Sequence, residues 1–447
     1  MAADDSDLTR STGRGSIGAQ EEAGTVRHLF DQYDGTENRV THALACCLAE
    51  DPKLLACFIE WSTGRKPPAH ARLHVLEQQL PGDPPLWKEV AERRGLPDIC
   101  IHDGDAWCFL IENKLGAALT ASQLRRHRST ILRRGFESVE VLAICPTESA
   151  SSTVDGAHQR RWTQVYEWSR GLTRTSRWAG CLADYLEVVE MRLDEEGRER
   201  GWSLTTFTGI PFSSEIPYEY RQAKRLLKLA MEALRQRQDL REQLGIAHDG
   251  GRGKITGREA DGVWDTLRLS RAPAEEQMQS LPHLTLAIGQ QCVLAILVLP
   301  NGLKTEFRRR LRDLGLGGFL DLLREVTRGM SARLSGAPGW VPWVQVVQRR
   351  YPSRSGSGIE DAELTLDLRT AFADGDRQDL RGVKPQPLWA QTAFEAFANR
   401  RGTNTLLAVG GKFPYGRCPA MAKREALDYV AAAWISCRPV TDLLFGA

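Results

Sequence analysis

The chain has 447 residues, of which 42% are hydrophobic and 26% are charged, and these values are typical of globular proteins. The length predicts two or three domains with a core that needs no disulfide or metal staple. The formal net charge of +2 excludes a strongly basic or strongly acidic chain, and the longest apolar run, "CVLAILVL" (292–299), is too short to cross a bilayer.

The cysteines predict the compartment. No pair has C-x-x-C spacing, and no Cys/His group has zinc-finger spacing. Most lie in apolar runs, where a free thiol packs as a small hydrophobic group. We therefore expect a cytoplasmic protein without membrane contact. Residues 1–24 are polar, acidic and rich in Gly and Ser, which predicts a flexible tail rather than a secretory signal.

The first half predicts a small mixed sheet flanked by helices. A helix is expected from Glu37, with Thr36 as its N-cap and a break at Pro52, followed by a loop over "GRKPPAHARL". Two strands, "PDICIHD" and "AWCFLIENK", are joined by an Asp-Gly turn that is typical of a hairpin. Next come a helix over "TASQLRRHRSTILRRG", a buried strand over "SVEVLAICP", a short strand or turn that runs into a helix over "RRWTQVYEWSRGL", and a further helix over "GCLADYLEVVEMRL". The order predicts an α/β fold.

The second half predicts a separate α+β domain over 201–447, after a boundary at the charge run "DEEGRERGW" (194–202). One long helix is expected over 217–245. Strands are expected at 262–270, 283–289, 292–300, 340–351, 362–372 and 404–416, and further helices at 303–315, 388–402 and 420–437.

The two halves differ in charge. Residues 202–447 carry 34 Lys and Arg against 26 Asp and Glu, a net of +8, which leaves −6 for the rest of the chain. This asymmetry favours a polyanionic partner for the second half, and a mixed-charge solvated surface is the alternative. DNA contact, oligomerisation, sensing and binding of a protein partner are all open roles for that half.

Charged residues at the ends of the two hairpin strands predict a metal site. Asp98 stands at the start of the first strand, and Glu112 and Lys114 project from one face of the second, while Asn113 points the other way. The hairpin brings these ends together. Two carboxylates and the backbone carbonyl of Asn113 are ligands that suit Mg²⁺, and Lys114 would assist the attacking water or stabilise phosphate charge.

The sequence "PD" (97–98), thirteen further residues and then "ENK" (112–114) resembles the PD-(D/E)XK nuclease superfamily, over residues 25–200. The resemblance implies a restriction-endonuclease-like αβββαβ core and Mg²⁺-dependent hydrolysis of DNA, with Mn²⁺ as a substitute. It also implies that Glu37 in the first helix is a further metal-linked acid. Gln123, in the helix after the "ENK" strand, would support the catalytic set of Asp98, Glu112 and Lys114. Many members act as homodimers, and anti-phage defence or restriction is an expected role.

Each of these charged residues also has a simpler structural role open to it. An acid in the first turn, such as Glu37, also favours the helix dipole, and a Glu/Lys pair can be a simple surface ion pair. The arginines that we expect to contact phosphate can equally form solvated faces. They are Arg125, Arg126, Arg308, Arg309 and Arg310. For the whole chain, the alternatives are a nuclease-like scaffold that binds without cutting and an RNase of the same fold.

Overall fold

The computed structural model describes residues 28–69, 72–83, 96–116, 119–147, 157–196, 201–247, 256–258, 262–272, 280–351, 358–372, 387–399 and 404–446. The expected tail, residues 1–24, lies outside these ranges. Contacts divide the chain into two compact units, 1–186 and 187–447, and the division falls within the helix Arg177–Glu195. The sequence predicted this boundary a few residues later, at the charge run 194–202. The described residues form a mixed α/β protein with two sheets.

The first unit holds a five-stranded sheet and its helices. In chain order the elements are α1 (Thr36–Glu50), α2 (Pro52–Thr63), β1 (His74–Glu77), β2 (Ile99–His102), β3 (Trp107–Asn113), α3 (Ala121–Leu132), β4 (Ser138–Cys145), β5 (Ala157–Arg161), α4 (Trp162–Gly171) and α5 (Arg177–Glu195), the helix in which the division falls.

The sheet has the order β1-β2-β3-β4-β5. The β1–β2 and β2–β3 pairs are antiparallel, and the β3–β4 and β4–β5 pairs are parallel. The predicted hairpin is confirmed, with Ile99 opposite Ile111. Its turn is held by Asp103, whose Oδ1 accepts from the backbone N–H of Trp107 at 3.0 Å. All residues of β2 and β3 are buried, as expected for strands covered on both faces.

The predicted break after the first helix is confirmed at Pro52, which occupies the first turn of α2. Asp51 caps that helix, because its Oδ1 accepts from the N–H groups of Lys53 and Leu54 at 3.1 and 3.0 Å. The structure corrects the start of α1. Gly35, at φ 85°, is the cap residue and makes no side-chain cap bond, so Thr36 is the first helical residue and not the N-cap.

One strand of the first sheet was missed. β1 has four residues, of which His74 is exposed and the other three are partly buried. Such a short edge strand shows no alternation of apolar and polar residues, so the sequence alone offers no period to recognise. Its pairing with β2 places Glu77 opposite Ile99.

The second unit holds a seven-stranded sheet of entirely antiparallel strands in the order β11-β10-β12-β9-β8-β7-β6. The elements after α5 are α6 (Tyr220–Arg235), α7 (Gln238–Leu244), β6 (Thr256–Arg258), β7 (Gly262–Arg268), β8 (His283–Ile288), β9 (Cys292–Leu299), α8 (Thr305–Asp313), α9 (Gly315–Arg333), β10 (Val341–Arg350), β11 (Ile359–Asp367), α10 (Leu368–Ala371), α11 (Pro387–Phe394), a π-helical turn (Glu395–Asn399), β12 (Thr405–Pro414), a 3₁₀ turn (Pro419–Ala422), α12 (Ala426–Ser436) and α13 (Arg438–Phe445).

All six expected strands of this unit are present, although the one expected over 362–372 ends at Asp367 and continues as α10, and β6 was not predicted. The helices also differ from the prediction. The single helix expected over 217–245 is two helices, because Arg237 adopts an extended backbone conformation between α6 and α7. A second short helix, α13, follows the predicted last one and starts beside a proline. The 19-residue helix α9 was missed, because the glycines in its first turn lower helix propensity. Its buried Phe319, Leu323, Val326 and Met330 nevertheless repeat at helical spacing.

Candidate acid–lysine site

The hairpin joins the start of β2 to the end of β3, as the sequence predicts. The backbone N–H of Asn113 donates to Asp98 Oδ2 at 2.7 Å. Ile99 lies opposite Ile111 in the antiparallel pairing of β2 with β3. The bond to Asp98 lies just beyond this pair and is made by a side chain. Asp98 is thereby fixed beside the two charged residues that flank Asn113.

Lys114 lies between two carboxylates. Its Nζ is 2.9 Å from Glu37 Oε1 and 3.2 Å from Glu112 Oε1. Glu37 reaches across from the first turn of α1, and its Oε2 accepts from the backbone N–H of Leu115 at 2.8 Å. The structure thus brings the predicted helix acid to the end of β3. A surface ion pair does not describe this lysine, because its side chain is only 16% exposed.

Glu112 is the most buried of the three acids of the site, at 2% exposure. Its Oε1 also accepts from Gln123 Nε2, so the predicted supporting residue contacts the predicted acid. Thr120 caps α3 and sets the start of the helix that carries Gln123. Glu112 Oε2 lies 3.4 Å from Nε2 of the buried His127, but neither atom makes a hydrogen bond. The distance between the Glu112 oxygen and the His127 nitrogen is short enough for a hydrogen bond, but their orientation is not suitable for one. The two groups are therefore close without being hydrogen-bonded.

Asn113 points to the opposite side of β3 and holds the site's frame. Its Nδ2 donates to Thr41 Oγ1 at 2.7 Å, and its Oδ1 accepts from Trp162 Nε1 at 2.8 Å. Both bonds are buried, so loss of the amide would leave unpaired polar groups in the core. The sequence-based prediction included only the backbone carbonyl of Asn113. A polar side chain in an otherwise apolar strand was the signal that it needs buried partners.

Burial and a neighbouring acid change the protonation of Asp98. Burial, followed by repulsion from Glu112, raises the pKa of Asp98 from 3.8 to about 8. Burial lowers the pKa of Lys114, but the nearby Glu112 and Asp98 charges outweigh it, and the net result is a pKa well above the usual range. Lys114 therefore stays cationic at neutral pH and acts as a fixed positive charge among the carboxylates.

The arginines predicted to contact phosphate fall into different environments. Arg125 and Arg126 are exposed on α3, the helix that carries Gln123, and Arg309 is exposed on α8. Arg308 donates to the carbonyl oxygens of Phe397 and Thr405, at 3.0 and 2.7 Å.

Burial lowers the pKa of the Arg308 guanidinium. Arg310 Nη1 donates to the carbonyl oxygen of Leu444 at 2.6 Å, at the end of α13. Arg308 and Arg310 thus make structural contacts within the second unit, and their expected contact with phosphate stays a prediction.

A cavity of about 1110 Å³ lies in the second unit. Its lining includes Trp264, Tyr351 and the ion pair between Arg349 and Glu360. The acid–lysine arrangement is in the first unit, and none of its residues lines this cavity.

Comparison of the chain with protein-family models, curated proteins and solved structures finds no match. Within the part of the chain that the structure describes, no group of three or more His, Cys, Asp or Glu side chains is arranged to hold a metal ion. Nor does any helix in those ranges combine the length and apolar character needed to span a membrane.

Proposed function

We propose that the first unit is a metal-dependent nuclease that hydrolyses phosphodiester bonds in DNA. One observation carries the proposal: Lys114, held cationic, contacts Glu37 and Glu112 at a sheet corner where Asp98 is hydrogen-bonded to the same strand. A lone ion pair would not require three acids around one lysine. Phosphoryl transfer does need both anionic ligands and a positive charge next to the transferred group.

The arrangement of the first unit supports this proposal. Two helices precede three consecutive antiparallel strands, a further helix follows, and β4 then runs parallel to β3. This element order supports the restriction-endonuclease-like αβββαβ core that the resemblance implies. Asp98 precedes the second strand, and Glu112 and Lys114 lie at the end of the third, as in that family's pattern.

The donor set suits a hard divalent cation. Carboxylate and carbonyl oxygens favour Mg²⁺ or Mn²⁺ over softer metals, and Glu112 Oε2 is buried without a hydrogen bond. Asp98, Glu112 and the carbonyl of Asn113 would hold the ion, with Glu37 as a further acid. When bound, the ion would lower the pKa of a water molecule and polarise the phosphate. The nearby Lys114, Gln123 and Asn113 N–H now satisfy several of these oxygens, so we expect these contacts to rearrange when the ion binds.

The chain's own residues have separable roles. Lys114 stabilises negative charge that develops on the phosphate, since its raised pKa makes it a poor base at neutral pH. Gln123 orients Glu112 through Oε1. Asn113 fixes the strand end through Thr41 and Trp162.

The decisive experiment compares the wild type with Lys114→Ala on supercoiled plasmid, linear duplex DNA and single-stranded RNA, each with Mg²⁺, Mn²⁺ or EDTA. Lys53→Ala is a matched control, because Lys53 is an exposed lysine of the same unit. We expect metal-dependent cutting of DNA that falls by at least about 100-fold in Lys114→Ala and is unchanged in Lys53→Ala.

The remaining outcomes separate the alternatives. Cutting of RNA alone would indicate an RNase of this fold. Binding of duplex DNA without cutting under any metal would contradict the enzyme and favour a scaffold.

The wider role follows from the same proposal. We propose that the second unit, with its positive charge, binds DNA or a protein partner, and that the protein acts as a homodimer in anti-phage defence. A two-fold axis would place two sites across a duplex. Light scattering that gives a monomer with and without DNA would contradict the dimer, and unchanged phage plating after deletion would contradict the defence role.

A further inference from the structure

A second cluster of titratable side chains lies in the first unit, apart from the acids around Lys114. It comprises Tyr33, before α1, His42 and Cys46 on α1, and Glu77 on β1. His42 Nδ1 lies 2.8 Å from Glu77 Oε2, and Tyr33 Oη donates to the same oxygen at 3.4 Å. Cys46 Sγ lies 3.4 Å from His42 Nε2. These residues have no part in the proposed nuclease chemistry.

The side chains of this cluster are arranged as in sites that activate a nucleophile. Glu77 engages Nδ1 of His42, and the thiol of Cys46 lies 3.4 Å from Nε2 and 3.7 Å from Nδ1 of the same ring. A protein can orient a base beside a sulfur by placing a carboxylate next to an imidazole and the imidazole next to a thiol. The helix makes it possible, because side chains four residues apart lie on one face and lean towards the N-terminus.

The charges around the imidazole favour its cation. The contact with Cys46, and then the bond to Glu77, raise the pKa of His42 to about 10, against the opposing effect of burial. Tyr33 from the preceding segment remains neutral, since burial and the Glu77 charge raise its pKa to about 12. At the next residue of α1, burial and the thiols of Cys181 and Cys46 raise the pKa of Cys47. His42 is thus a positive charge beside Cys46 throughout the neutral range.

We propose that Cys46 is a reactive thiol and a modification site for soft electrophiles and hydroperoxides, with His42 and Glu77 as its positioning residues. An adjacent imidazolium stabilises the thiolate, the form of cysteine that reacts. Cys46 is partly exposed, so small reagents reach it, whereas Cys47 beside it is fully buried.

The reaction with hydrogen peroxide balances within this cluster. The thiolate sulfur of Cys46 attacks one peroxide oxygen, so that an S–O bond forms as the O–O bond breaks. The departing hydroxide takes the proton of the His42 imidazolium and leaves as water. The products are a sulfenic acid on Cys46 and a neutral His42. The modification falls on α1, the helix whose first turn carries Glu37.

The chain provides its own reference thiol. Cys57 on α2 is an exposed free cysteine. Trypsin cleavage after Arg39, Lys53 and Arg65 places Cys57 alone on one peptide and Cys46 with Cys47 on its neighbour, where fragment ions separate the two.

The test is carbamidomethylation of the native full chain by limiting iodoacetamide, between about pH 6 and pH 8.5. The measured quantity is the rate of labelling at Cys46 divided by the rate at Cys57. The ratio cancels the difference in access, which does not change with pH. An ordinary thiol loses about 100-fold of its thiolate over this range. We expect the ratio to rise at least about tenfold as the pH falls, and to change less than about twofold in His42→Gln. Tyr33→Phe, which keeps His42, Cys46 and Glu77, retains the rise.

A wild-type ratio that is constant with pH would overturn the proposal, and so would a rise that persists in folded His42→Gln. If His42→Gln does not fold, Glu77→Gln replaces it, with the same expected loss of the rise. Trapping with dimedone after peroxide should label Cys46 before Cys57, and the reverse order would also contradict the proposal. None of these measurements depends on a bound metal or on nuclease activity.

Discussion

The raised pKa of Asp98 predicts an unusual dependence of stability on pH. A carboxyl whose pKa is raised on folding stabilises the protein at low pH, and this contribution is lost as the pH rises from 3.8 towards about 8. Between about pH 5 and pH 7 the folded protein holds this proton and the unfolded chain does not. The contribution of Asp98 to the free energy of unfolding therefore falls by about 1.4 kcal/mol per pH unit, or by about 3 kcal/mol over the window. Asp98→Asn removes this dependence and should be the more stable protein at pH 7.

Two buried cysteines make this measurable for the first unit alone. Cys100 and Cys108 lie in β2 and β3 and are inaccessible in the folded state. Their labelling by a dithiodipyridine reagent in a urea series, read by peptide mass spectrometry in EDTA, reports unfolding of the hairpin that carries Asp98. Asp103→Asn is the control, because Asp103 lies at the turn of the same hairpin and its substitution leaves the titration of Asp98 in place. Parallel curves for the wild type and Asp98→Asn between pH 5 and pH 7 would refute the reasoning.

Three further substitutions test the frame of each unit, with equilibrium urea unfolding as the measurement. Asn113→Ala should cost about 2–4 kcal/mol, because its buried partners lose their hydrogen bonds, and a loss below about 1 kcal/mol would contradict the role we give it. Arg308→Ala should cost about 2–3 kcal/mol, since it strips donors from backbone carbonyls, whereas exposed Arg309→Ala should stay within about 0.5 kcal/mol; equal effects would contradict this distinction. Lys228→Met should cost about 3–5 kcal/mol, because Lys228 is an ion partner of both the fully buried Glu190 and Asp194, and a neutral result would contradict this role.

Local signals predicted much of the first unit. The Asp-Gly turn and the apolar runs on either side specified the hairpin, and the two-residue spacing put Glu112 and Lys114 on one face. Pro52 marked the break between the first two helices. These features depend on residues close together in the chain, where turn chemistry and strand period act directly. The short strand β1 and the glycine-rich start of α9 lack such local signals, and both were missed.

The sequence by itself determined which residues carry charge at the strand ends, and hence that Asp98, Glu112 and Lys114 belong together. Only the tertiary structure decided that Glu37 reaches Lys114 from α1, that Arg308 is engaged by carbonyls of its own unit, and that Glu77 meets His42 and Cys46. The reason is physical. Hairpin partners are set by register within about twenty residues, whereas contacts between a helix and a distant strand depend on how the elements pack, which residue spacing does not encode.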